Sequence, residues 1–271
     1  MIMILIPFLK PVSLPNCELP HAKHATPHPS KLGKESTTAC VNERSAMAPT
    51  AASLLPATQE LLRAHLEATS APRPAVRYRF EHSLRVARLG RVVAERSHLD
   101  PDMLQLGCLL HDIGKYDAQV PVDHGRAGAV VVNSWFDSQG FHGSAADEIV
   151  QGIAMHVDGQ FNPRTDGEGT DRAASGEPYL TFTRNPGPVA TSIGDCDNLD
   201  RFSAYRIADT LHYVRFMDKS TAEQREFIKD YLFNLSGLYD YECTTEAAQQ
   251  MWIDRLDFQQ EYFTRLLADV G

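Results

Sequence analysis

From about residue 56 to its end the chain repeats apolar positions at helical spacing, and no pair of segments shows the two-residue alternation of paired strands. Residues 56–69 place Leu61, Leu62 and Leu66 on one face. Residues 81–97 gather Leu84, Ala87, Val92 and Val93, with arginines opposite. Asp100-Pro101 signals a helix start, and Gly114 closes the apolar segment LQLGCLLHDIG, so a helix is predicted over 102–113. Further helices are predicted over 124–137, 145–156, 188–212, 221–235 and 244–268. Residues 158–188 are rich in Gly, Pro, Asp, Thr and Arg without a sustained period, which predicts a long surface loop that could serve as a lid. The fold expected is one all-α helical bundle over 51–271.

Residues 1–50 read differently. A nine-residue apolar start is too short to span a bilayer, has no basic residue before it and lacks a cleavage site of small residues. Pro, Ser, Thr, Lys and His dominate the rest, so a disordered extension is expected, with His21, His24 and His28 as polar filler. Met47 opens a more ordinary protein start.

Charge narrows the partners. The first 46 residues hold five basic and three acidic residues; the remaining 225 hold 21 and 32, a net of −11. An acidic body argues against broad nucleic-acid binding but leaves room for a small anion gripped by a few local cations. The five cysteines, Cys17, Cys40, Cys108, Cys196 and Cys243, show no CxxC spacing and suit a reducing cytoplasm. Cys196, between two carboxylates, reads as a small buried residue.

The strongest chemical signal is His111-Asp112, at the end of an apolar helix. Burying an imidazole beside a carboxylate is costly, and a divalent metal that takes both as ligands removes the cost. Lys115 follows one turn on and can neutralise an anionic oxygen. His82 lies 29 residues earlier, where antiparallel helix packing can carry it to His111, and GDCDNLDRF supplies Asp195, Asp197 and Asp200. Such a set makes an open metal site with room for water and substrate.

The segments EHSLRVA, LLHDIGK, DHGRAGA, IAMH and GDCDNLDR, spread over residues 78–205, resemble the HD-domain metal-dependent phosphohydrolase superfamily. The resemblance implies His82, His111, Asp112 and Asp197 as metal ligands. Asp197 is preferred to Asp195 because the family's last motif reads as an acid followed two residues on by leucine, as in DNL. His124, 12 residues past Asp112, and His156, 32 further on, fall where a two-metal subset of the family places extra histidines. The resemblance thus implies one or two divalent ions (Mn, Fe, Co, Ni or Zn, with Mg also suited), bridged by Asp112 if two. The double histidine and GYP signature of the cyclic-di-GMP-degrading branch is absent.

The activity this implies is hydrolysis of a phosphate ester, in a nucleotide or another small phosphorylated metabolite, as a phosphomonoesterase or phosphodiesterase. Asp112 is a candidate proton acceptor. Lys115 and Arg126 are candidates to stabilise phosphoryl oxygens. Arg77 and Arg79 read as solvated surface residues, Glu81 as a group that orients His82, and Asp200 and Arg201 as either orienting groups or a surface pair. Trp135, Phe136, Phe202 and Tyr205 read as core. Two rivals use the same features. One is an HD-fold di-iron oxygenase acting on a small polyol or phosphonate, although VDGQFNPRTDG after His156 lacks the lysine-rich segment of those enzymes. The other is a non-catalytic nucleotide-binding module, which predicts missing ligands.

Overall fold

The computed structural model describes residues 48–162, 169–173 and 176–271. Most of the expected N-terminal extension, with His21, His24, His28 and Met47, lies outside them. Among the described residues there are nine α-helices, no strand, and one antiparallel bridge between Arg172 and Pro178. None of these helices is long and apolar enough to cross a membrane.

Helix α1 (Ala51–Ala68) starts five residues before its predicted start, because Thr50 and Ser53 form a capping box that the period alone does not reveal. Leu62 and Leu66 are fully buried as expected, each burial stabilising by roughly 1.5–3 kcal/mol. Helix α2 (Arg73–Ser97) starts eight residues before the predicted 81, led in by Pro72 and Pro74. The extra turns place Tyr78 and Arg79 on the same helix as His82.

Asp100 caps α3 (Pro101–Leu110) by accepting from the Asp102 and Met103 amides. This helix stops at Leu110, three residues short of the prediction, and His111 is its C-cap. The following residues turn tightly, with Ile113 N bonded to Leu110 O and Lys115 N to Asp112 O. A Cβ on Gly114 would lie 2.2 Å from Gly128 N and 2.5 Å from His124 O, so glycine lets the turn press against α4 (His124–Gln139).

Helix α5 (Ser144–Met155) packs on α4 and on α6 (Pro188–Arg201). The predicted single helix over 188–212 is two. Phe202 leaves helical geometry to pack edge-on against Trp252, and extended Ser203 starts α7 (Ala204–Tyr213). Helices α8 (Thr221–Ser236) and α9 (Glu246–Asp269) close the bundle. Ile207, Phe216, Ile228 and Phe263 form a second apolar cluster there.

The described parts of the 158–188 loop are tied down rather than hanging free. Asn162 and Phe182 exchange two hydrogen bonds, Thr170 donates to Asp123, and Gln151 donates to Arg184 O.

Candidate metal centre

Helices α2, α4 and α6, the turn after α3 and the end of α5 deliver one group of side chains to a common point. His82 comes from α2, His111 and Asp112 from the end of α3, His124 from the start of α4, His156 from the C-cap of α5 and Asp197 from α6. All six are buried. Three overlapping sets, His82–His111–Asp112, His111–His156–Asp197 and Asp112–His124–His156, each offer ligand atoms within 4.8 Å of one another, as a metal ion requires.

The cluster has two halves that share Asp112. On one side, His82 Nε2 and His111 Nε2 lie 3.2 Å apart, and both face Asp112 Oδ2, at 3.5 and 3.4 Å. Asp197 Oδ1 completes that side, 3.0 Å from His82 Nε2 and 3.6 Å from His111 Nε2. On the other, His124 Nε2 and His156 Nε2 lie 3.2 Å apart and face Asp112 Oδ1, at 3.0 and 3.7 Å.

Hydrogen bonding fixes which nitrogens face inward. Nδ1 of His111 donates to Cys108 O, Nδ1 of His124 to Pro121 O and Nδ1 of His156 to Ile153 O. Nδ1 of His82 donates to Asp200 Oδ2. Each imidazole spends its proton outward, so in the neutral form four bare Nε2 lone pairs converge on carboxylate oxygens. Arg79 donates to Asp112 Oδ2 and Lys115 reaches His124 Nε2, but in that form the other inward acceptors lack a donor. Asp112 Oδ1 is buried with no hydrogen-bond partner among the described residues. The donor set fits divalent metal, since a cation in each half would satisfy the lone pairs of that half.

The electrostatics follow the same division. Burial pulls His82 down, but its bonds to Asp112, Asp197 and Asp200 and the Asp197 charge outweigh it and lift it to about 10. His111 is raised for the same reason: Asp112 and Asp197 overcome burial. Burial pushes His124 down to about 4 and also lowers His156, despite the Asp112 carboxylate beside both. Burial opposes ionisation of Asp112 and Asp197, yet neighbouring cations hold both well below the usual carboxylate range. Arg79, His111 and Lys115 do this for Asp112; Arg201, His111 and His82 do it for Asp197.

The remaining candidates separate by position. Lys115 stands at the cluster, its Nζ 3.4 Å from His124 Nε2 and 4.0 Å from Asp112 Oδ1, with burial lowering its pKa. The phosphate-binding expectation for Arg126 is corrected. Its side chain is 2% exposed, and its two Nη atoms donate to Asp123 (3.1 Å) and Asp158 (2.8 Å), which ties α4 to the segment after α5. Asp195 points away from the cluster, accepting from Tyr241 Oη at 2.6 Å and Thr244 N at 2.7 Å. Glu81 is exposed, and it is Asp200 that orients His82. Arg201 pairs with Asp197, not Asp200.

Two other expectations change. Tyr205 is 52% exposed, with the Arg85 guanidinium 4.3 Å from its ring centre, so it is not core. Arg79 is not a solvated surface residue: its Nη1 pairs with Asp112 Oδ2. The signal that could have found Arg79 was its spacing three residues before His82, one turn away on the same helix face. Cys196 is fully buried, as expected.

The HD domain family model matches residues 79–258 of the chain. Among solved structures, the chain is similar to a predicted HD superfamily hydrolase from an uncultured Thermotogales bacterium. The two are 23% identical with a TM-score of 0.52, covering 80% of this chain and 94% of that one. It is also similar to YpgQ of Bacillus subtilis, at 16% identity and a TM-score of 0.49, covering 80% and 98%. No curated protein matches. At such identities the likeness to the first structure bears on the fold alone.

Proposed function

The chain belongs to the HD domain family, and from that premise we propose that it is a metal-dependent phosphohydrolase acting on a small phosphorylated metabolite such as a nucleotide. The observation that carries this reading is the convergence of four outward-pinned imidazoles on two carboxylates, with the two oxygens of Asp112 facing different histidine pairs. We assign His82, His111 and Asp112, with Asp197 facing both imidazoles, to one divalent ion and Asp112, His124 and His156 to a second, with Asp112 shared. Ions held there would supply Lewis-acid polarisation of a phosphoryl group and would lower the pKa of a bound water from about 15.7 toward roughly 7.

The chain's own residues do the rest. Asp200 holds the His82 ring so that Nε2 points inward. The carbonyls of Cys108, Pro121 and Ile153 do the same for His111, His124 and His156. Lys115, 27% exposed beside Asp112, is placed to neutralise charge on a phosphoryl oxygen. Asp112, held well below the usual carboxylate range, suits the role of shared ligand better than that of proton acceptor. With a metal centre and Lys115 gripping the substrate, the acidic body is no obstacle to a small anion.

A phosphatase panel of nucleotides and sugar phosphates, run with several divalent metals and with a chelated control, tests the reading. Turnover that chelation abolishes, and that His111→Ala and Asp112→Ala each remove, is the expected result. The same six ligands would also suit two irons, so oxygen uptake belongs in the panel. Oxygen consumption without phosphate release would replace the hydrolase reading with an oxygenase. Phosphate release that survives both substitutions would remove the metal centre from the chemistry.

A further inference from the structure

We propose that Arg79 is a phosphate-gripping residue that guards Asp112 until a divalent ion takes its place, an inference that rests on the phosphohydrolase reading. Arg79 Nη1 pairs with Asp112 Oδ2. That same oxygen faces His82 Nε2 at 3.5 Å and His111 Nε2 at 3.4 Å. The guanidinium therefore sits on the oxygen that would complete a metal site with those two imidazoles.

No other arginine near the centre is placed this way. Arg85 spends its Nε and Nη2 on Asp200, and Arg126 spends both Nη atoms in its buried ion pairs. Arg201 holds Asp197 by Oδ2, whereas Asp197 meets the imidazoles through Oδ1. Arg79 also has capacity to spare, since its Nε is buried without a hydrogen-bond partner among the described residues.

Two cations cannot share one carboxylate oxygen without repulsion. With a divalent ion held by His82, His111 and Asp112, the guanidinium would leave Oδ2. The side chain stays within reach of the centre, because α2 holds it one turn before His82. An anion bound at the centre is then the nearest partner for its freed planar fork, which matches phosphate oxygens in pairs. The pairing with Asp112 thus becomes a pairing with substrate.

The assignment gives one substitution two effects of opposite sign. Mn²⁺ titration of the full chain, followed by inorganic phosphate binding to the Mn²⁺-loaded protein, reads both. Arg79→Gln is expected to bind Mn²⁺ about fivefold more tightly, because a competitor is gone. It is expected to bind phosphate about tenfold more weakly. Arg79→Lys, which keeps the charge but not the fork, is expected to fall between wild type and Arg79→Gln in phosphate affinity, and it serves if Arg79→Gln does not fold. Weaker Mn²⁺ binding by Arg79→Gln, or phosphate affinity equal to wild type in either variant, overturns the assignment. Failure of the Mn²⁺-loaded wild type to bind phosphate at all would instead strike the phosphohydrolase reading, and this inference with it.

Discussion

Asp200 Oδ2 lies 2.8 Å from His82 Nδ1, and Arg85 grips the same carboxylate through both of its oxygens, at 2.9 and 3.1 Å. A buried carboxylate locked by an arginine thus fixes the ring of a candidate ligand from behind. Asp200→Asn keeps the shape of the side chain but removes the charge that orders both partners. Metal affinity is expected to fall by about 10–100-fold while the helical content stays at the wild-type level. Isothermal titration with Mn²⁺, paired with circular dichroism, checks it; unchanged affinity would mean that Asp200 does not support His82.

Arg126 belongs to the frame and not to substrate binding, and the two roles predict different losses. Arg126→Ala leaves Asp123 and Asp158 buried without their cation, which costs about 3–5 kcal/mol. Chemical denaturation is expected to show this loss. Enzyme that remains folded at low temperature is expected to keep its KM, since no substrate contact is removed. A stable Arg126→Ala protein with a raised KM would return Arg126 to the site.

Gly114 tests how closely the turn must approach α4. A methyl group there meets the backbone atoms Gly128 N and His124 O, which cannot swing aside as a side chain can. Gly114→Ala is expected to cost about 1–3 kcal/mol and to shift His124 relative to Asp112. Weaker metal binding together with a lowered melting temperature is the expected outcome. Wild-type values for both would show that the turn has slack.

The C-terminal cluster offers a pH test away from the centre. Burial lifts the Tyr231 phenol to about 12, with Arg206 pulling the other way, and its hydroxyl donates to Gln259 at 2.5 Å. An unfolded phenol ionises near pH ~10. Between those two values the unfolded chain loses its proton first, so folded protein binds more protons and stability falls as pH rises. Below pH ~10 the contribution is complete. Denaturation midpoints of wild type and Tyr231→Phe are expected to converge as pH rises from about 10 to 12, and parallel curves would contradict the burial argument.

The six candidate ligands were legible because each stands in a short segment with its own helical context, and the segments follow one another in family order. The sequence does not show which way a side chain leaves its helix. Arg126 sits two residues past His124, where linear proximity suggests a shared site, yet Asp158 lies opposite it and captures it. Arg79 reads as one more surface arginine because the apolar period begins only at 81; the prolines at 72 and 74 and the three-residue spacing to His82 are the signals that put it on α2 over Asp112. Helix ends were hidden for a related reason. The break at Phe202 depends on Trp252, fifty residues away and invisible to a local period. Asp195 and Asp197 part in the same way: Tyr241 and Thr244 draw Asp195 outward, while Asp197 faces the imidazoles.

Metal stoichiometry after reconstitution and desalting tests the central claim most directly, because it asks whether Asp112 joins two sites. Wild-type chain is expected to retain two divalent ions, the His124→Ala/His156→Ala double variant one, and Asp112→Ala none. A wild-type chain that holds a single ion, and keeps it when both histidines are removed, would contradict the shared-carboxylate centre.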